Sequence, residues 1–254
     1  MELSQALDVR PKEVVAFIGA GGKTTALRRL GSELAARGRR VLLTSTTKIE
    51  PQAGEVDTEC ITSLEQARQV ITSRPDWSRP LLLVTERLPT RLRGMPPEWV
   101  DALTNTVDYL LVQADGSARR PFKAPAAHEP VLPRSATLVV AVLGLEAIGS
   151  PIDDEHVHRP ELVAEFSGLP LGAALTIQGA AQVLLHPRGG FRNVPAGARR
   201  MVLMNKVDDA ERLATAQALT QLLMQAGIPR VLLASLRTTP PVRQLWLPGQ
   251  VVEN

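Results

Sequence analysis

One stretch limits the folds open to this chain more than any other. It is Val14-Val15-Ala16-Phe17-Ile18 followed by Gly19-Ala20-Gly21-Gly22-Lys23-Thr24-Thr25. The apolar run, mostly β-branched or aromatic, predicts a buried strand. The glycines predict a sharp turn. Leu27, Leu30 and Leu34 at helical spacing predict a helix that opens at Lys23 and runs to about Arg37, with Gly38 as its stop. Strand, glycine turn, Lys-Thr and helix make up a phosphate-binding loop. Its backbone amides converge on phosphate oxygens, and the new helix aims the positive end of its dipole at the same anion. Gly19, Ala20, Gly21, Gly22, Lys23, Thr24 and Thr25 are therefore the first candidate nucleotide-binding residues. Lys23 would reach the β/γ-phosphates, and Thr24 would hold Mg²⁺ through its hydroxyl.

The loop is compact. It reads G-x-x-G-K-T, with Phe17 where the longer G-x-x-x-x-G-K-[ST] pattern has its first glycine. Loops of this length resemble those of Mur-ligase-type ATP enzymes.

The rest of the chain alternates strand and helix patterns. Strands are predicted over 40–45, 80–85, 107–112, 137–143, 201–204 and 230–234. Helices are predicted over 63–72, from about Glu98, over 161–167 and 180–185, and over 209–225. Residues 51–60 and 189–198 read as loops, and the proline-interrupted tail from Thr238 reads as surface wrapping. This order predicts an α/β fold, a three-layer α/β/α P-loop NTPase with a mostly parallel sheet. A single domain over residues 1–254 is expected, with an insertion or subdomain at about 144–195. With 3% aromatic residues and a net charge of +3, no base-stacking nucleic-acid surface is expected. No apolar stretch is long enough for a membrane span, no secretory signal is evident, and Cys60 is the one cysteine. A cytoplasmic location follows as the expectation.

Further candidates lie at strand ends, where open α/β sheets bind ligands. Thr46 and Thr47, after the second strand, would meet the γ-phosphate or the waters on Mg²⁺; the competing reading is a Ser/Thr-rich turn. Tyr109-Leu110-Leu111-Val112-Gln113-Ala114-Asp115 is a strand ending in an acid, and Asp115 joins Thr24 as a candidate Mg²⁺ ligand. Arg119, Arg120 and Lys123 follow it. With Lys23, the two arginines are the candidate catalytic cations, as a clamp on a transferring phosphoryl group or an acidic substrate.

Met201-Val202-Leu203-Met204-Asn205-Lys206-Val207-Asp208 runs a strand into N-K-x-D. In GTP-binding proteins this aspartate accepts from guanine N1–H and the 2-amino group. The lysine stem covers the base, and the asparagine braces neighbouring loops. Asn205, Lys206 and Asp208 are candidates on that ground, and Ser235, at the end of the next strand, would back the guanine's other edge. Asp208-Asp209-Ala210-Glu211 also reads as a helix capping box. His156 and His158 form an H-x-H pair without an evident further metal ligand, so a loop that contacts substrate, or a plain polar loop, competes with a metal site.

Taken in order, FIGAGGKTT (17–25), LTSTTKI (43–49), RGMPPEWVDAL (93–103), ADGSARRPFKA (114–124), HEP (128–130), VHRPE (157–161), LHPRGG (185–190), the segment 195–200 and NKVD (205–208) resemble the YqeC family. Its members are accessory proteins for selenium-dependent molybdenum hydroxylases. The resemblance implies a nucleotide-binding protein that helps mature a selenium-containing molybdenum cofactor site, with a molybdenum hydroxylase or a cofactor-maturation protein as partner. Relatives commonly carry Glu where this chain has Gln113, two residues before Asp115. The expectation is a protein that binds Mg²⁺ with GTP, or else ATP, and turns it over slowly. An ATP-dependent small-molecule kinase or ligase, and a non-catalytic nucleotide-gated binding protein, are the alternatives.

Overall fold

A computed structural model describes residues 1–51 and 56–253. In chain order the elements begin with α1 (Leu3–Ala6), β1 (Val14–Gly19), α2 (Lys23–Ala35), β2 (Val41–Ser45), β3 (Lys48–Ile49) and β4 (Asp57–Cys60). They continue with α3 (Leu64–Ser73), β5 (Leu81–Val84), β6 (Glu86–Arg87), β7 (Leu92–Arg93), α4 (Pro97–Leu103), β8 (Tyr109–Gln113) and β9 (Phe122–Lys123). Next come β10 (Leu138–Gly144), β11 (Val157–His158), α5 (Pro160–Ser167) and α6 (Ile177–Leu185). The chain closes with β12 (Arg199–Asn205), α7 (Ala210–Gln225), β13 (Val231–Ala234), β14 (Val242–Leu247) and β15 (Gln250–Glu253).

The main sheet has ten strands in the order β15-β14-β13-β12-β10-β1-β8-β2-β5-β4. Pairing is parallel from β4 through β13, and β14 and β15 add an antiparallel edge. Along β1 the side chains alternate between two cores, as the pleat requires. Val14, Ala16 and Ile18 pack with α3, α4, α5, α6 and α7 through residues such as Ile71, Val100, Val163, Ala180 and Leu219. Val15 and Phe17 pack on the other face with α1 and α2, through Leu3, Leu7, Leu27, Leu30 and Leu34. The fold is a three-layer α/β/α sandwich on a mostly parallel sheet. Among the described residues, no helix is long and apolar enough to cross a membrane.

Three readings of the sequence need correction. Within 51–60, residues 52–55 lie outside the described residues, but Asp57–Cys60 is the edge strand β4, paired with β5. Its polar residues, with Glu59 and Cys60 exposed, carry no apolar run because an edge strand buries little. The tail from Thr238 is a hairpin rather than a surface wrap: β14 and β15 turn at Pro248-Gly249 and extend the sheet. The helix after Asp208 is capped by Asp209 alone, whose side chain accepts from the Arg212 amide at 2.8 Å. Arg212 at the third helical position rules out a capping box.

Candidate functional site

The parallel order brings the carboxyl ends of β1, β2, β8, β12 and β13 to one edge of the sheet, and the segments that follow them line a cleft of about 660 Å³. The glycine turn is locked into its neighbours. Gly21 has a φ of +71°, and a Cβ there would lie 2.2 Å from the Gly144 amide nitrogen, so no other residue fits. Helix α2 starts at Lys23 behind Gly22 with no side chain capping it, which leaves first-turn amides available to an anion.

Beneath the turn lies a buried chain of charges. Lys23, 4% exposed, donates to the Gly19 carbonyl and stands 3.2 Å from Asp115 Oδ1. Asp115 Oδ2 accepts from the Gly19 amide at 2.9 Å and lies 3.1 Å from Lys123 Nζ. Lys123 also donates to the Gly116 carbonyl at 2.6 Å and pairs with Glu129 at 2.5 Å, and Glu129 accepts from Arg159 at 2.7 Å. The run is Lys23, Asp115, Lys123, Glu129, Arg159: three cations against two carboxylates, a formal excess of one positive charge beside the glycine turn. Burial pushes the Lys23 pKa down, with Asp115 opposing the shift. Burial also opposes ionisation of Glu129, but its bonds to Arg159 and Lys123 outweigh that and hold its carboxyl at about 2.

His158, beside Arg159, is half-buried, and burial with the charges of Arg159 and Lys123 lowers its pKa to about 4. The signs combine. The unfolded chain protonates His158 near 6.5 while the folded chain resists until about 4, so stability falls with pH across that window. The Glu129 contribution is complete above about 4.5 and is lost as pH falls from there toward 2. Urea unfolding at stepped pH should therefore show a decline that begins below about pH 6.5. His158→Gln should remove the upper part of that decline and leave the lower part. A wild-type profile flat down to about pH 4.5 would contradict the assignment.

At the other end of the cleft, Asn205 is the brace between loops. Its Nδ2 donates to the Gly21 carbonyl at 2.8 Å, and its Oδ1 accepts from the Leu236 amide at 3.0 Å. Arg29, from α2, holds the same following loop through the Leu236 and Thr238 carbonyls at 3.0 and 2.7 Å. Asp208 Oδ1 accepts from the Ser235 hydroxyl, while its Oδ2 faces Arg212 at 3.3 Å. Lys206 has a φ of +65° and pairs with Glu146. Burial, then the charges of Arg237 and Arg212, lower the Lys206 pKa.

The cleft thus gathers Gly21, Gly22, Lys23, Thr24 and Thr25 at one end and Asn205, Lys206, Asp208 and Ser235 at the other, with Arg119 and Arg120 along the side. Arg119 is well exposed and paired with Glu50 at 2.5 Å, so it lies on the rim. Thr24 donates to Gln113 Oε1 at 2.8 Å, which puts Gln113 in contact with the hydroxyl expected to hold Mg²⁺. Other expected residues lie elsewhere. Gly19, Ala20 and Asp115 sit under the turn rather than on the cleft wall. Thr46 and Thr47 line a separate groove; Thr46 spends its hydroxyl on the Val131 carbonyl at 2.6 Å. His156 bonds Asp153 at 2.7 Å, and among the described residues no group of three or more His, Cys, Asp or Glu comes together for a metal. Glu129 and Arg159 were not singled out as functional from sequence. Their one signal was that H-E-P and V-H-R-P-E stood out as segments without an assigned role.

The family model described as YqeC protein matches residues 15–161, more than half of the chain. The chain belongs to the YqeC family. The YqeC protein of Escherichia coli (strain K12) is 33% identical over 237 residues, covering 92% of this chain and 91% of that protein. The matched YqeC region holds the glycine turn and the whole buried charge chain through Arg159, and the N-K-V-D strand end lies beyond it.

Proposed function

We propose that this YqeC-family protein binds Mg²⁺–GTP in the cleft and hydrolyses it slowly, in the service of maturing the cofactor of a selenium-containing molybdenum hydroxylase. The maturation role rests on the family resemblance. The nucleotide rests on the site, and one observation carries it: Asn205 bonds the Gly21 carbonyl with one end of its side chain and the Leu236 amide with the other. A phosphate-binding turn and a carboxylate suited to guanine are thereby held as two poles of one cleft.

The residues fit a Mg²⁺–nucleotide. Thr24 presents a hydroxyl on the cleft wall beside the helix start, and Asp115 Oδ1, which faces the Lys23 ammonium at 3.2 Å beneath the turn, would exchange that contact for the metal or one of its waters. Thr24 and Asp115 would hold Mg²⁺, which would supply charge to neutralise the phosphates. Lys23 and the first-turn amides would stabilise charge on the phosphate oxygens. Arg120 would add charge from the side. Asp208, oriented by Ser235, would take guanine N1–H and the 2-amino group in exchange for its exposed Arg212 contact. Adenine offers no donors there and would leave the carboxylate unpaired.

ATP in place of GTP is the competing reading, and calorimetry of both with Mg²⁺ decides between them. GTP should bind at least about tenfold tighter, and Asp208→Ala should erase the gap, about 1.4 kcal/mol or more. Equal affinity for the two nucleotides in the wild type would sink guanine recognition and leave N-K-V-D as a strand end. A second reading, a nucleotide-gated binding protein without turnover, is favoured by Gln113, a neutral amide on the Thr24 hydroxyl where the family resemblance implies a carboxylate. Binding without phosphate release would support it.

A further inference from the structure

The segment Arg93-Gly94-Met95-Pro96-Pro97-Glu98-Trp99 stands out in the sequence and plays no part in the nucleotide cleft. In the fold it builds a second, open groove of about 570 Å³ at the same carboxyl edge of the sheet, over the ends of β2 and β5. The groove is held in place by backbone. The Gly94 amide donates to the Thr47 carbonyl at 2.8 Å, and the Met95 amide to the Ser45 carbonyl at 2.7 Å. A Cβ on Gly94 would lie 1.7 Å from the Ser45 carbonyl oxygen, so the segment is seated directly on the end of β2. The Thr85 hydroxyl donates to the Gly94 carbonyl at 2.9 Å from the end of β5. The small β3-β7-β6 sheet frames the same walls.

What faces the groove has a consistent chemistry. Trp99 is half-buried and, with exposed Pro96, gives the groove an apolar lining, while the hydroxyls of Thr46 and Thr85 are already spent on the Val131 and Gly94 carbonyls. Lys48 and Arg93 bring positive charge. Arg93 is paired with Glu86 at 2.6 Å, whereas Lys48 is exposed and makes no ion pair with any described residue. Lys48 lines both this groove and the phosphate-loop cleft, so the two spaces meet at an ammonium that no described residue pairs. An indole and a proline ring with cations beside them match an aromatic molecule that carries an anionic group.

We propose that this groove binds a second small ligand, an aromatic anion stacked on Trp99 with its charged end at Lys48, next to the terminal phosphate of the bound nucleotide. The placement beside the phosphate rests on the nucleotide reading; the groove and its ligand class do not. Occupancy of both spaces would set the anionic group of the second ligand on the ammonium that also lines the phosphate-loop cleft.

The probe is 2-naphthoate, a flat aromatic carboxylate, titrated by ligand-observed NMR into nucleotide-free protein and into protein saturated with Mg²⁺–GTP. Saturable binding in the nucleotide-free protein is expected. Lys48→Ala and Trp99→Ala should each weaken it about fivefold or more, and Lys23→Ala should leave it unchanged. Lys48 is exposed, so its variant remains decisive if Trp99→Ala fails to fold, and Trp99→Phe should keep most of the affinity. Absence of binding up to about 10 mM, or binding indifferent to Lys48→Ala, overturns the proposal. Binding lost in Lys23→Ala overturns it too, because the probe would then occupy the phosphate site. If Mg²⁺–GTP itself fails to bind while naphthoate binding follows Lys48, the groove stands and the nucleotide reading falls.

Discussion

Glu129→Ala is expected to be among the most destabilising single substitutions in this protein, at about 3–5 kcal/mol in urea unfolding near neutral pH. The reason lies in what it leaves behind. Lys123 is 1% exposed and Glu129 is 7% exposed, and their contact is 2.5 Å. Arg159 reaches the same carboxylate oxygen at 2.7 Å. Removing the carboxylate strands two cations in a buried site that already holds an excess of positive charge. Asp115 can still share Lys123, but it is also the partner of Lys23. Glu129→Gln keeps an acceptor and loses the charge, so it should fall between wild type and Ala. It should also lose the acid-side decline between about pH 4.5 and 2. A loss under about 1 kcal/mol for Glu129→Ala would show that water enters the site and relieves the cations.

The contrast between the two halves of the site shows what a sequence can reveal. The turn from Gly19 to Thr25 was legible because each part of it is local: an apolar run, a φ that only glycine takes at Gly21, and helical spacing of Leu27, Leu30 and Leu34. The N-K-V-D brace was legible for the same reason, and Asn205 does join neighbouring loops. The strand at Asp57–Cys60 was hidden because it pairs on one side only and buries little, and the final hairpin was hidden behind Pro240 and Pro241. Thr46 and Thr47 sit at a strand end as expected. A strand end fixes where the backbone goes and not which neighbour a hydroxyl finds, and the Val131 carbonyl took Thr46. Lys23, Asp115 and Lys123 were each legible as candidates, but their joining into one charge chain was not, because Glu129 and Arg159 complete it from positions far apart in sequence. Only the parallel pairing of β9 with β11, Lys123 opposite His158, brings Arg159 to Glu129.

Lys23→Met should separate binding from stability. Loss of the ammonium should weaken Mg²⁺–nucleotide binding by about a hundredfold or more, some 2.7 kcal/mol, because the cation at the start of α2, behind the glycine turn, goes with it. The folded state should not suffer to match. Lys23 is buried with its charge opposed by burial, and it belongs to a chain that carries one more cation than carboxylate. Methionine fills similar space without the desolvation cost. Asp115 loses the Lys23 contact at Oδ1 but keeps the Gly19 amide and Lys123 at Oδ2, so the carboxylate retains a counter-charge. The expected result is a stability equal to wild type within about 1 kcal/mol, or slightly above it. Calorimetry for binding and urea unfolding for stability read the two quantities on the same protein. A Lys23→Met protein that still binds nucleotide within about threefold of wild type would remove Lys23 from the phosphate site. One that unfolds several kcal/mol more easily would show that the ammonium is held for the fold, and that the Lys23–Asp115 pair is a structural bridge rather than a charge kept ready for phosphate.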